Sequence, residues 1–187
     1  LIPWLHYKHF PDVQDMAGDA FIQHMGIDLL AYRSRSSSPA TLEVKVCCKA
    51  STTGNYFYET VSNTNRKTRG CFLYTQSEYI LYYMVDIDPP QVHLLPTNEL
   101  QDWVRQQLIN NRNSLARKRS NTSIGYSTLG RVLPIQKVRK ALSGVEVFEL
   151  PSHCQVRLPH EDHFIDRQRP KNAPPRDRPR PYCLADP

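Results

Sequence analysis

Hydrophobic and polar positions change their period several times along the chain, and these changes divide it into elements. Residues 12–25, DVQDMAGDAFIQHM, place apolar side chains on one stripe of a 3.6-residue period. We therefore predict an amphipathic helix there, with Asp12 as its N-cap and Gly26 at its end. A serine-rich loop at 33–40 then separates two β-branched runs. The first strands are predicted at 27–32, 41–47 and 55–61.

The pattern beyond residue 78 continues this alternation. The aromatic and β-branched stretch at 79–87 predicts a strand, and QVHLLP predicts a short strand that pairs back on it. TNELQDWVRQQLINN keeps one apolar face and predicts a helix. GRVLPI and VEVFEL predict two further strands on either side of a helical turn at QKVRKAL. The sum is an α/β or α+β fold with a mixed central sheet flanked by helices.

Length and composition indicate one domain followed by a tail. The chain has 187 residues, 40% of them hydrophobic, which suffices for one core, but its last stretch is polar and rich in proline. We predict a domain at 1–165 and a basic, proline-rich extended tail at 166–187. No long apolar run occurs and the first residues lack a basic n-region, so we expect neither a membrane span nor a signal peptide. Five cysteines without C-x-x-C spacing predict reduced thiols.

The most informative chemistry lies in GIDLLAY and TLEVKV. Side chains alternate along a strand, so the apolar residues of LEVKV would face the core while Glu43 and Lys45 share the other face, roughly 7 Å apart. A hairpin would bring Asp28 roughly opposite Lys45. Two neighbouring carboxylates repel, and a shared Mg²⁺ would keep both ionised; the ammonium could position or deprotonate a metal-bound water, or stabilise a phosphate under attack. The alternative is a solvated pair, because E-x-K is common on strands.

The order of these elements adds a resemblance. The chain resembles the PD-(D/E)XK nuclease superfamily in the order of its elements: a helix, a G-x-D strand, a short loop and an E-x-K strand. Gln23 lies near the end of the helix, as part of the same resemblance. TGNYFYETVSN and RGCFLYTQSEYILYYMV are similar to the continuation in small phage and bacterial members. The resemblance covers roughly residues 12–95. It departs from the motif at Ile27, where a proline often precedes the first acid.

The resemblance implies a restriction-endonuclease-like fold and a role for each matching residue. Asp28 and Glu43 would bind Mg²⁺, with Mn²⁺ as a substitute, and Lys45 would serve the attacking water. Asp19 or Gln23 would reach in from the helix. The implied activity is hydrolysis of DNA, double-stranded by preference, in the cytoplasm of a bacterial or phage-infected cell. Homing, restriction, resolvase and defence roles stay open, as does a homodimer or larger homo-oligomer.

Two other functions stay open beside the endonuclease. One is a non-catalytic nucleic-acid-binding protein on the same fold, although clustered acids would repel phosphates. The other, more distant, is an RNA-processing nuclease, for which the chain offers no aromatic RNA-reading signature. The formal charge of +6 favours an anionic partner such as nucleic acid, yet many proteins with this charge bind none.

Basic residues outside the acidic cluster are candidate phosphate contacts, with a solvated side chain as the alternative for each. They lie in the loop SNTNRKTRG, in the extension of the second strand, and in NRNSLARKRS, which predicts a disordered or DNA-ordered loop. The candidates are Arg66, Lys67, Arg69, Lys49, Arg117, Lys118 and Arg119. The tail is a further basic segment that could clamp nucleic acid or a partner.

Two further sets of residues are candidates for the site. Glu59 on the third strand is either an additional active-site acid or an exposed cross-strand partner of a lysine. His153, Cys154, His160 and His163 could bind zinc, but their spacing fits no common ligand pattern, so we interpret them as a metal-free surface.

Overall fold

The structure of the protein is a computed structural model that describes residues 1–8, 10–34, 37–110, 118–123 and 126–151, with the backbone alone at 110 and 118–123. The helices are α1 Ile2–Tyr7, α2 Ala20–His24, α3 Ala50–Thr53, α4 Thr97–Asn110 and α5 Ile135–Ala141, with a 3₁₀ turn at Cys71–Leu73. The strands are β1 Asp12–Asp15, β2 Leu29–Tyr32, β3 Ala40–Cys47, β4 Asn55–Asn63, β5 Thr68–Arg69, β6 Tyr79–Met84, β7 Gln91–Pro96, β8 Lys118–Ser123, β9 Tyr126–Pro134 and β10 Glu146–Glu149.

These strands form two sheets. The larger has six strands in the order β1-β2-β3-β6-β7-β10, in which β3 and β6 are parallel and the other neighbours antiparallel. A mixed sheet with helices is therefore present, as the sequence predicted. The smaller sheet, β5-β4-β9-β8, is antiparallel and was not predicted. Strand periodicity shows that a segment is extended but does not say which sheet it joins.

Both faces of the six-stranded sheet are covered. On one face, Trp4 and Leu5 of α1 are buried against apolar residues of β2, β3, β6 and β7. On the other, the small sheet, the 3₁₀ turn, α4 and α5 bury a second cluster. The Tyr82 hydroxyl fixes the two sheets together there, since it donates to Phe57 O at 2.6 Å and accepts from Phe57 N at 3.1 Å. Glu43 and Lys45 lie on this second face, beside Ile80 and Tyr82 of β6.

The helix predicted at 12–25 is wrong in its first half. Residues 12–15 form β1, which pairs antiparallel with β2, and the helix is limited to α2. Asp12 is therefore no N-cap; Asp19 takes that role, with Oδ1 accepting from Phe21 N and Ile22 N. Asp15 Oδ1 likewise accepts from Ala17 N. These short side-chain-to-backbone bonds favour a turn between β1 and α2 over a continuous helix.

The loop predicted at 111–120 is also partly wrong. Lys118 to Ser123 form β8, which pairs along its length with β9, so a ladder of backbone hydrogen bonds fixes this segment. Arg117, the histidine and cysteine cluster at 153–163, and the tail at 166–187 with its boundary all lie outside the described residues. Among the helices that are described, none has the length and apolar character needed to cross a membrane.

Candidate active site

The site lies where β2 and β3 separate. Their pairing runs from Ala31↔Ala40 to Leu29↔Leu42 and ends with Asp28 N donating to Leu42 O at 2.8 Å. Beyond this point the amide of Val44 has lost its strand partner, and Asp28 Oδ2 accepts from it at 2.8 Å. The Asp28 carboxylate is thus fixed on the free edge of β3.

The observed register differs from the predicted one by two residues. Continued by one step, the ladder places Asp28 opposite Glu43 rather than opposite Lys45. Because side chains repeat every two residues along a strand, a slip of two leaves Asp28 on the same face as both of them. The three charged groups therefore converge although the predicted pairing was wrong.

Gln23 connects α2 to this acid. Its Nε2 donates to Ile27 O at 3.0 Å, to Met16 O at 3.3 Å and, more weakly, to Asp28 Oδ1 at 3.4 Å. Gln23 thus contacts Asp28 directly. Asp19 makes no such contact with Asp28, because it is the N-cap and its Oδ1 accepts from the first turn of α2.

Glu43 and Lys45 form a close, largely buried pair. Lys45 Nζ lies 2.5 Å from Glu43 Oε1, and the side chains are 30% and 6% exposed respectively. The interpretation as a solvated pair is therefore wrong for Glu43. Val46, predicted to face the core, is instead 55% exposed. Alternation along β3 could not identify the solvent face, because layers pack on both sides of this strand.

Burial and neighbouring charges shift the pKa values of both Glu43 and Lys45. Burial raises the pKa of Glu43, Lys45 opposes that rise, and the negative charge of Asp28 adds to it. Burial alone would lower the pKa of Lys45, but Cys71 and Glu43 outweigh it and raise that pKa above its ordinary value. Lys45 is therefore protonated at neutral pH. A protonated lysine can orient a water or stabilise negative charge, but it cannot accept a proton.

Sequence reasoning missed one side of the site, which the 3₁₀ turn at Cys71–Leu73 forms; we call this turn the wall of the site. The Cys71 thiol is buried beside Lys45 and Glu43, and burial raises its pKa to about 12. Cys71 N donates to Glu59 Oε1 at 3.5 Å. Glu59 is thus half-buried at the site rather than an exposed partner of a lysine. Burial, with Cys71 and Glu43 nearby, raises the pKa of Tyr74. A 3₁₀ turn has no periodicity that could have indicated these neighbours.

The wall is held against the segment that leads to Asp28. Thr75 Oγ1 donates to Gly26 O at 2.7 Å, and Gln76 N donates to Met25 O at 2.8 Å. Gly26 has a φ of +66°, and a Cβ placed there would lie 2.9 Å from Thr75 Cα. Glycine is needed at this position both for its backbone conformation and for the close approach.

Asp28 and Glu43 are chemically suited to Mg²⁺. Among the side chains described, no group of three or more His, Cys, Asp or Glu is arranged to hold a metal. Mg²⁺ does not need such a cage, because it binds through one or two carboxylates and keeps water and phosphate oxygens as its other ligands. The negative charge of Asp28 raises the pKa of Glu43, so the two carboxylates repel each other, and a cation between them would relieve this repulsion.

The basic candidates are distributed over the small sheet and beyond β3. The exposed residues Arg66, Lys67 and Arg69 lie on the β4–β5 hairpin, which leads directly into the wall at Cys71. Arg119 pairs with Gly130, which pairs in turn with Glu59, so the backbone of β8 passes two strands from the site. Lys49 does not continue the alternation of β3, because the strand ends at Cys47 and Lys49 is the exposed N-cap of α3.

Comparison with known proteins adds no family assignment. No family model, curated protein or solved structure matches the chain. Its functional interpretation therefore depends on the side chains gathered at the junction of β2 and β3.

Proposed function

We propose that this protein is an Mg²⁺-dependent DNA endonuclease that hydrolyses phosphodiester bonds by in-line attack of an activated water, as the resemblance to PD-(D/E)XK nucleases implies. The observation that carries this proposal is the convergence of Asp28, Glu43 and Lys45 at the free edge of β3. Two acids and one lysine on this edge supply ligands for a metal and a cation for the phosphate.

Each side chain has a role that follows from its contacts. Mg²⁺, when bound, would neutralise phosphate charge and lower the pKa of a bound water. Asp28 would bind it in an orientation set by Val44 N and Gln23. Glu43 would supply the second carboxylate. Lys45 would stabilise charge developing on the phosphate, since its raised pKa keeps it protonated.

Affinity for DNA must come from outside the acids, because carboxylates repel phosphates. The chain carries 24 Lys and Arg against 18 Asp and Glu. The β4–β5 hairpin carries Arg66, Lys67 and Arg69, and its strands also hold Glu59 and lead to Cys71. Its position and exposure support phosphate contacts that would hold the backbone next to the acids.

The alternative, a nucleic-acid-binding protein without catalysis, has one observation in its favour. Lys45 is 2.5 Å from Glu43, and the Glu43 side chain is only 6% exposed. The negative charge of a carboxylate paired in this way is already balanced by the lysine, so the carboxylate needs no metal to remain buried. Under this alternative the pair stabilises the junction of the two layers.

Isosteric variants separate the two functions. We expect Asp28→Asn, Glu43→Gln and Lys45→Met each to reduce cleavage of plasmid DNA at least about hundredfold while leaving DNA affinity nearly unchanged. The matched control is Asp102→Asn, since Asp102 is an exposed acid paired with Arg105 on α4.

The outcomes are distinct. If a variant cleaves like the wild type, the role assigned to that residue is wrong. If the wild type binds DNA and cleaves none of it with Mg²⁺ or Mn²⁺, the non-catalytic function replaces the endonuclease.

A further inference from the structure

An open cavity lies away from the acids of the candidate active site. It has a volume of about 610 Å³ and is bounded by the β6–β7 turn, α3 and the start of α5. Its lining shares no residue with the candidate active site. The polar residues on which its chemistry depends are Ser51, Asp86, Gln91, His93, Lys137 and Arg139.

The floor of this cavity is a neutral hydrogen-bonded chain. His93 is 1% exposed, its Nδ1 lies 2.6 Å from the Tyr56 hydroxyl, and its Nε2 lies 3.1 Å from Gln91 Oε1. Burial and the charge of Arg139 lower the pKa of His93 to about 4, so the ring is neutral at pH 7. Tyr56 then donates to Nδ1, and Nε2 donates to Gln91. This arrangement leaves the NH₂ group of Gln91 as a donor for a ligand.

The acidic and basic side chains around the cavity differ in how far hydrogen bonds and ion pairs satisfy them. Asp86 already accepts from Ala50 N, Ser51 N and the Ser51 hydroxyl, at 3.0, 2.9 and 2.6 Å. By contrast, no ion pair or hydrogen bond within the described residues joins Lys137 or Arg139 to an acid. Asp88 is the other acid in the lining. Lys137 and Arg139 are both exposed on α5, and the cavity therefore presents two cations without an acidic partner among the described residues.

We propose that this cavity binds a phosphate group, with Arg139 and Lys137 as its principal contacts. The planar guanidinium matches the geometry of phosphate oxygens, and lysine supplies a second point charge. The volume falls within the range of small-molecule sites, about 300 to 1,000 Å³. The same chemistry fits two sources, a free mononucleotide and a backbone phosphate of DNA. This binding does not depend on the cleavage proposed above.

NMR titration in EDTA tests this binding without any metal-dependent chemistry. The probes are inorganic phosphate, deoxyadenosine monophosphate and a short DNA duplex, added separately to the full chain. We expect saturable shifts at the amides of Ser51, Gln91 and Gln136. Arg139→Gln should weaken phosphate binding about tenfold, as expected for loss of a charged hydrogen bond. Lys140→Gln is the control, because Lys140 is exposed on the same helix but does not line the cavity.

The probes also distinguish the sources. If the mononucleotide binds more tightly than inorganic phosphate and the duplex does not shift these amides, the ligand is a free nucleotide. If the duplex shifts them and Arg139→Gln removes that shift, the ligand is the DNA backbone. Absence of saturable shifts with all three probes, or equal weakening by Arg139→Gln and Lys140→Gln, would overturn the proposal.

Discussion

The surroundings of Lys45 narrow the role that we propose for it. E-x-K on a strand left open whether the lysine positions a water or deprotonates it. Burial would lower the pKa of Lys45, but its neighbours, among them the Glu43 carboxylate at 2.5 Å, raise it, so the proton stays on Lys45 at neutral pH. In the proposed reaction Lys45 therefore acts as a fixed cation, and another group or the solvent must take the proton from the water.

Substitution by arginine tests this role. Arginine keeps the charge at every accessible pH and cannot serve as a base. We expect Lys45→Arg to retain measurable cleavage and Lys45→Met to retain at least about tenfold less, because only the methionine variant loses the cation. Single-turnover rates with plasmid DNA would measure this. Equal loss of activity in both variants would indicate a proton-accepting lysine instead.

His93 predicts how stability depends on pH. Its pKa is about 4 in the folded protein and 6.5 ordinarily, so the unfolded chain takes up a proton between these values and the folded chain does not. Stability should therefore fall as pH decreases from 6.5 to 4, by up to about 3 kcal/mol from this residue.

Urea unfolding across this pH range would measure the effect. His93→Gln should flatten the acid side of the profile, whereas His24→Gln, at an exposed position, should leave it unchanged. The same slope in His93→Gln and the wild type would contradict the assignment. Comparing slopes rather than absolute stabilities removes the cost of the substitution itself.

At the scale of elements, the site depends on how the 3₁₀ turn docks on the residues before β2. Gly26→Ala would place a methyl group 2.9 Å from Thr75 Cα and force an alanine to a φ of +66°. Gly54→Ala is a matched control, because its φ is +61° but no atom lies within 4 Å of the added Cβ. We expect Gly26→Ala to be less stable than Gly54→Ala by about 1 to 3 kcal/mol.

Thermal and urea unfolding of both variants would measure the difference, which isolates the contact with Thr75 from the common backbone strain. Equal stability of the two variants would show that the turn can shift away from Gly26 without cost. In that case the wall at Cys71 would not be rigidly coupled to Asp28.

Elements with a long or dense pattern were predictable from the sequence, and short ones were not. The helix at TNELQDWVRQQLINN is confirmed as α4, and the antiparallel pairing of the strand beginning at residue 79 with QVHLLP is confirmed as β6 and β7. The helix predicted over 12–25 is wrong in its first part, because residues 12–15 pair with β2 as a strand. This tertiary pairing outweighs the helical period of a segment that is mostly polar. The convergence of Asp28 and Glu43 could be predicted, because a register shift of two residues between β2 and β3 leaves each side chain on the same face of the sheet. Cys71 could not, because its position depends on docking of the second layer.

At the scale of the whole molecule, the second sheet carries candidate phosphate contacts on the same strands as one acid of the site. The β4–β5 hairpin carries Arg66, Lys67 and Arg69 on the strand pair that also supplies Glu59. If these three residues contact phosphates, changing all of them to Gln should weaken specific and non-specific DNA binding about equally. It should also reduce the slope of log affinity against log salt by about 3, or 0.9 for each contact.

Titrations of a DNA duplex at several salt concentrations, with the catalytically silent Asp28→Asn background to prevent cleavage, would measure this slope. Melting temperatures of the triple variant and its parent provide the control for folding. An unchanged slope would show that the hairpin does not touch the phosphates, and the basic residues that bind DNA would then lie elsewhere in the chain.

The central claim is that Asp28, Glu43 and Lys45 form a metal-dependent hydrolytic centre, and plasmid cleavage as a function of Mg²⁺ concentration tests it most directly. We predict that supercoiled DNA is nicked or cut with Mg²⁺ or Mn²⁺, that the new ends carry 5′-phosphates, and that excess EDTA stops the reaction. Cleavage that continues unchanged in EDTA, or wild-type protein that cleaves no DNA with either metal, would contradict the claim.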